Sequence, residues 1–152
     1  MNYEVVELKE KIVVGLTART RNSDENMAEI IGSLWQRLFG EGIFQAIENK
    51  QNDKSIGLYS DYETDEKGAY DITVCCEVAR AEHLPEGVIK KIIPAGTYAK
   101  FIIHGHMQKA VADFWTKLWE MPLDRKYSCD FEEYQSGTDG ENAEIHIYLS
   151  LK

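Results

Sequence analysis

The 152-residue sequence is short of the features that most often announce a function. Its three cysteines, Cys75, Cys76 and Cys129, are odd in number. Neighbours on a strand point to opposite faces, so Cys75 and Cys76 are not expected to pair. They also lack the spacing of a zinc or redox motif, and all three are read as reduced thiols. No stretch approaches the roughly 18 apolar residues of a membrane span. Met1 to Lys11 is charged and has no signal-peptide core. A cytoplasmic protein without a membrane partner is expected. There is no glycine-rich phosphate loop, nucleophile elbow or recognition-helix signature. His104-Gly105-His106 has no cysteine or carboxylate at a supporting short spacing and reads as the end of a strand. Asp139-Gly140-Glu141 is a turn that does not complete a calcium loop. Neither a metal nor a cofactor is expected. Basic side chains are in deficit, 17 against 26 acidic ones, for a formal net charge of −9. That balance repels nucleic acid and anionic lipid and suits cationic or neutral ligands, although acidity also serves solubility alone.

What is present describes an ordinary globular chain. The hydrophobic fraction is 43% and the charged fraction 28%, which with this length predicts one domain over residues 1–152. Lys11 to Thr20 is β-rich and reads as a strand. Asn22 with Glu25 fits a helix N-cap and capping box, with Ser23 as the other candidate cap. From Met27 to Phe39 the apolar residues recur at spacings of three and four, one face of a helix. Gly40 stands where a C′ glycine belongs. Two strands follow, Ile56 to Glu63 and Tyr70 to Val78, joined by turn chemistry at Asp65-Glu66-Lys67-Gly68. After a polar connection, Ala79 to Gly87, the order recurs. Thr97 to His104 is a strand opened by a turn at Pro94-Ala95-Gly96, and Met107 to Met121 is a helix stopped by Pro122. Cys129 to Gln135 and Ala143 to Leu151 are strands flanking a turn at Thr138-Asp139-Gly140. Residues 33–39 align with 113–119, and 59–63 with 131–135. The fold class expected is α+β: tandem β-α-β-β repeats, approximately 3–79 and 88–152, related by a pseudo-twofold axis. They would form an antiparallel sheet with two main helices and a central cleft, and clefts at such seams favour ligands.

Aromatic residues carry the main functional signal. Trp35, Trp115 and Trp119 fall on helix faces, where each serves either the core or a pocket wall; buried indoles and phenols need polar partners. Trp35 and Trp115 occupy matching positions in the two repeats. In Cys129-Asp-Phe-Glu-Glu-Tyr-Gln135, alternation puts Glu132 and Tyr134 on one face and Phe131 and Glu133 on the other. If Phe131 faces the core, Glu132 faces solvent. If Glu132 and Tyr134 face the cleft, a carboxylate lies among rings, costly unless it meets a donor or a cation. That arrangement selects lipophilic cations.

At these residues the sequence resembles the GyrI-like, or bacterial transcription activator effector-binding, domain family. The resemblance rests on the duplicated order, on Ile56-Gly-Leu-Tyr59 followed by Tyr70-Asp71, and on Phe131-Glu-Glu-Tyr134, similar to the family's Phe-Glu-x-Tyr. It implies a drug-binding pocket with Glu132 as its acidic base and walls from Trp35, Tyr59, Trp115, Trp119 and Tyr134. Only Tyr59 and Tyr134 among those walls rest on motif matches. It also implies two alternatives: a hydrolase of reactive hydrophobic electrophiles with Glu132 as general base, or a gyrase-inhibitor-like module with a regulatory protein partner. No helix-turn-helix precedes the domain in this chain, so a free-standing binder without direct nucleic-acid contact is the expectation.

Overall fold

The computed structural model describes residues 2–65, 67–118, 120–135 and 142–152. Its elements run β1 (Glu4–Leu8), β2 (Lys11–Thr20), α1 (Met27–Gly40), α2 (Ile43–Ala46), β3 (Ser55–Ser60), β4 (Tyr70–Val78), β5 (Ile89–Ile93), β6 (Gly96–Gly105), α3 (Met107–Leu118), β7 (Arg125–Tyr134) and β8 (Ala143–Leu151). The predicted strands and both long helices form. Each repeat also gains a leading strand, β1 or β5, that the pattern does not mark. Both are five residues long and charged, Glu-Val-Val-Glu-Leu and Ile-Lys-Lys-Ile-Ile. Both lie at sheet edges, where only one side needs pairing and charge guards the other. The turn expected at Thr138-Asp139-Gly140 lies outside the described residues.

Two helix ends differ from expectation. The N-cap of α1 is Asn26, which makes no side-chain capping bond. Asp24 Oδ1 instead accepts from the Asn26 N–H at 2.8 Å, which displaces the Asn22–Glu25 box. Gly40 is the last helical residue, and the left-handed glycine is Gly42, at φ 73°. The reversal therefore comes two residues later than expected.

All strands join one antiparallel sheet in the order β1-β6-β8-β7-β3-β4-β2-β5. This order is symmetric about the β3–β7 pair, and each repeat lends its first strand to the other's half. The exchange dictates the shape. Only Lys9 and Glu10 join β1 to β2, so Leu8 and Lys11 lie within about 11 Å of each other. A flat sheet would hold those strands six spacings apart, about 29 Å. Pro94 and Ala95 impose the same condition on β5 and β6. The sheet must therefore roll until its ends approach.

Rolling buries both faces. The inner face collects Val13, Ile56, Leu58, Cys75, Tyr98, Cys129 and Phe131, with Leu8 of β1 packed against them. On the outer face, Leu34 and Leu38 of α1 pack on β2 and β4, including Val14, Ile72, Val74 and Cys76. Phe114 and Leu118 of α3 pack on β6 and β8, including Phe101, Ile145, Ile147 and Leu149. Cys75 and Cys76 do face opposite sides, and the three buried cysteines are free thiols. With one helix over each lateral pair, the outer face of the central β3–β7 pair is left open between them.

Gly15 of β2 marks the tightest backbone approach. A Cβ there would lie 1.9 Å from the Val74 carbonyl oxygen and 2.6 Å from the Cys75 Cα. Gly32, in α1, has nothing within 4 Å of its Cβ position. Gly15→Ala should therefore lower unfolding stability by at least about 2 kcal/mol through forced backbone displacement. Gly32→Ala should raise it by about 0.5–1 kcal/mol through helix propensity. Urea denaturation of the two variants checks the opposite signs.

Candidate functional site

The open floor between the helices is a cavity of about 1030 Å³. Strand alternation sets its base. Ser55, Gly57 and Tyr59 of β3 point outward opposite Tyr134, Glu132 and Asp130 of β7. Helix α1 adds Met27, Ile31 and Trp35, and α3 adds Met107, Val111 and Trp115. The apolar stripe of each helix is therefore divided: one side packs the core and the other faces the cavity.

Glu132 lies at the centre and is only 3% exposed. Tyr59 Oη and Trp115 Nε1 donate to its Oε1 at 2.9 and 2.8 Å, and Tyr134 Oη donates to its Oε2 at 2.7 Å. All three donors are neutral. Glu132 joins no ion pair among the described residues. Burial pushes its carboxyl above the ordinary range, and the three hydrogen bonds pull in the opposite direction without cancelling it. Burial and the neighbouring carboxyl in turn push the Tyr59 and Tyr134 phenols up, so both remain donors.

The donors are held by ring packing. Tyr59 meets Trp115 edge-on at 5.4 Å and Tyr70 at 5.6 Å. Trp35 meets Tyr134 edge-on at 5.4 Å and stacks with Phe39 at 6.1 Å. Gly57 makes room for both sides of the site: a Cβ there would lie 3.2 Å from Glu132 Oε2 and 3.4 Å from Trp35 Cζ2.

Five of the six residues singled out from sequence, Glu132, Tyr134, Trp35, Tyr59 and Trp115, meet around this one cavity. The sixth, Trp119, lies outside the described residues. The choice posed by alternation, Phe131 inward or Glu132 inward, does not arise. Phe131 is fully buried on the inner face and Glu132 on the outer, because the rolled sheet has no solvent face here. Sequence reasoning missed Gly57 as a cleared position, Tyr62 and Tyr70 as walls, and Arg125. The last has no periodic signal, because the register of β7 shifts between Arg125 and Asp130.

Residues 4–151 match the protein family Cass2, described as integron-associated effector binding protein. The chain belongs to that family. It is 30% identical to the "Putative transcriptional regulator protein YobU" of Bacillus subtilis strain 168, over 97% of this chain and 96% of that protein. It is also similar to the Vibrio cholerae integron cassette protein VCH_CASS2, with a TM-score of 0.81 and 28% identity over 99% of this chain and 95% of that one. The structure of SAV2435 bound to tetraphenylphosphonium shares the Cass2-type fold at a TM-score of 0.82. Its identity is 21% over 100% of this chain and 94% of that one. Among the described residues, no helix is long and apolar enough to cross a membrane.

The raised Glu132 carboxyl fixes the sign of a stability test. The native state holds this proton more tightly than the unfolded chain does. Its contribution is therefore complete below the ordinary value, 4.5, and is lost as pH rises through the raised one. Across that window the melting temperature of the ligand-free protein should fall relative to that of Glu132→Gln. A wild type that gains on the variant as pH rises would mean that the three donors outweigh burial.

Proposed function

We propose that the cavity binds lipophilic cations, with Glu132 as their counter-charge and Trp35, Tyr59, Trp115 and Tyr134 as the enclosing rings. The observation that carries this reading is a carboxylate, buried beneath an aromatic cavity, whose only partners among the described residues are neutral donors. Ionising it without a cation nearby is unfavourable, and a bound cation supplies the missing charge. Ring faces add cation–π attraction. Membership of an effector-binding family supports a small-molecule role. The tetraphenylphosphonium of SAV2435 makes that ion the natural first probe.

The hydrolytic alternative asks Glu132 to take a proton from water. Three donors already occupy its two oxygens, which leaves little room for an attacking water to reach them.

Tetraphenylphosphonium should quench the fluorescence of Trp35 and Trp115 and raise the melting temperature. Glu132→Gln should weaken it by about 1–3 kcal/mol, the scale of a charge-assisted contact, while leaving neutral aromatic analogues nearly unchanged. Proton and cation compete for one carboxylate, so affinity should be full above the raised Glu132 pKa and decline as pH falls through it. In Glu132→Gln that pH dependence should vanish. Equal binding of cationic and neutral analogues, indifferent to the substitution, would refute the proposal.

A further inference from the structure

We infer that the Arg125 end of the cavity is a second polar subsite, which takes a neutral oxygen acceptor of the ligand, such as an ester or ketone carbonyl. The inference deepens the reading above and rests on it.

The chain departs from regular geometry to place Arg125 there. Asp130, Glu132 and Tyr134 point outward from β7, so unbroken alternation would send Arg125 to the inner face with Phe131. A bulge intervenes: Arg125 pairs with Leu151 and Asp130 with Leu149. Five steps along β7 thus face two along β8, and the three additional residues change the phase. Within the bulge Tyr127 is left-handed, at φ 57°, and Asp61, which precedes Tyr62, is left-handed at φ 52°. For side-chain-bearing residues such conformations are unfavourable, more so for a tyrosine than for an aspartate. Bulges of this kind re-aim side chains beside functional sites. The result is that Arg125 and Tyr62 both line the cavity.

The contacts of the guanidinium are incomplete. Arg125 Nη2 donates to Asp130 Oδ2 at 2.7 Å, an oxygen that also accepts from Tyr62 Oη at 2.5 Å. The Ser150 N–H holds the other Asp130 oxygen at 2.9 Å. The Tyr127 ring lies 4.3 Å and the Trp115 ring 6.0 Å from the Arg125 Cζ. A guanidinium carries five N–H donors, and Asp130 takes one. Nε is buried and has no hydrogen-bond partner among the described residues. A structural ion pair accounts for Nη2 and leaves Nε without an acceptor among the described residues; a buried donor left unmade is unfavourable. An acceptor oxygen on a ligand at this end of the cavity would give the guanidinium a further partner.

Charge decides which kind of acceptor. Asp130 already neutralises Arg125, and Glu132 lies two residues away on the same face. A carboxylate or phosphate would meet two buried anions, whereas a carbonyl oxygen would not. Trp115 spans the two subsites, its Nε1 on Glu132 and its ring beside Arg125. A ligand carrying a cation and a carbonyl would contact both.

The test is a matched pair of probes, (4-methoxycarbonylbenzyl)triphenylphosphonium and its 4-propylbenzyl analogue, titrated calorimetrically into the whole chain. Wild-type protein should bind the ester about tenfold more tightly, the scale of one hydrogen bond to a charged group. The double variant Arg125→Met, Asp130→Asn removes both partners of the ion pair, so Asp130 is not left as an unpaired buried carboxylate. It should bind the two probes with equal affinity, with its fold verified by melting. A wild type that binds the two probes equally, or a preference that survives in the double variant, would overturn the subsite alone. A wild type that binds neither probe would overturn the cation reading and the subsite with it.

Discussion

Two carboxylates stand two residues apart on the same face of β7, both removed from water, and they are treated in opposite ways. Asp130, with 0% exposure, is paired with a guanidinium at 2.7 Å. Glu132, at 3%, is given two phenols and an indole and, among the described residues, no cation. Neutral donors stabilise a carboxylate by orienting dipoles at it, but they leave its net charge in place. At an effective dielectric constant near 20, opposite unit charges about 4 Å apart attract by about 4 kcal/mol. An arginine at Glu132 would use that attraction internally, as Arg125 does at Asp130. Its absence leaves that attraction unused among the described residues and, on the proposed reading, open to a bound cation. The rolled sheet, the two flanking helices and the ring packing keep this one charge dry and uncompensated.

The exchanged strands make that burial possible. With β1 and β5 each docked on the opposite repeat and joined back by two residues, the sheet cannot lie flat. Its inner face closes over Leu58 and Phe131, directly behind the floor of the cavity. The central strands thus carry an apolar wall on one side and the acidic site on the other. Each helix covers only its own lateral pair of strands. The cavity is the part of the outer face that the two-helix symmetry leaves uncovered.

That history explains what was legible in the sequence. The alternation of Cys129 to Gln135 correctly placed Glu132 with Tyr134, and the spacing in both helices placed Trp35 and Trp115 at equivalent points. These are local periodicities, readable residue by residue. Sequence posed burial of Phe131 and of Glu132 as rivals because one face of a strand is usually wet. The roll that buries both depends on pairing between β1 and β6, about ninety positions apart. The edge strands were missed because their charges are what edge strands need. Arg125 was missed because a bulge breaks the periodicity that reading relied on. Gly57 looked like part of a motif; only its register opposite Glu132 reveals it as cleared space.

The same geometry discriminates among cations on the proposed reading. A hard ion such as calcium requires six to eight oxygen ligands to replace its water. Around Glu132 there are two carboxylate oxygens, already accepting three hydrogen bonds, and no group of three or more histidine, cysteine or acidic side chains that could hold a metal ion stands among the described residues. A metal ion would surrender its hydration for almost nothing. A cation whose charge is spread over aromatic groups is poorly hydrated at the outset, so transfer from water is inexpensive. Its apolar surface gains from burial at about 25 cal/mol per Å². Its charge still reaches the carboxylate through a medium of low dielectric constant. The neutral donors therefore have a second consequence. By filling the coordination sites of Glu132 without cancelling its charge, they turn a carboxylate that would otherwise attract any cation into one that favours lipophilic ones.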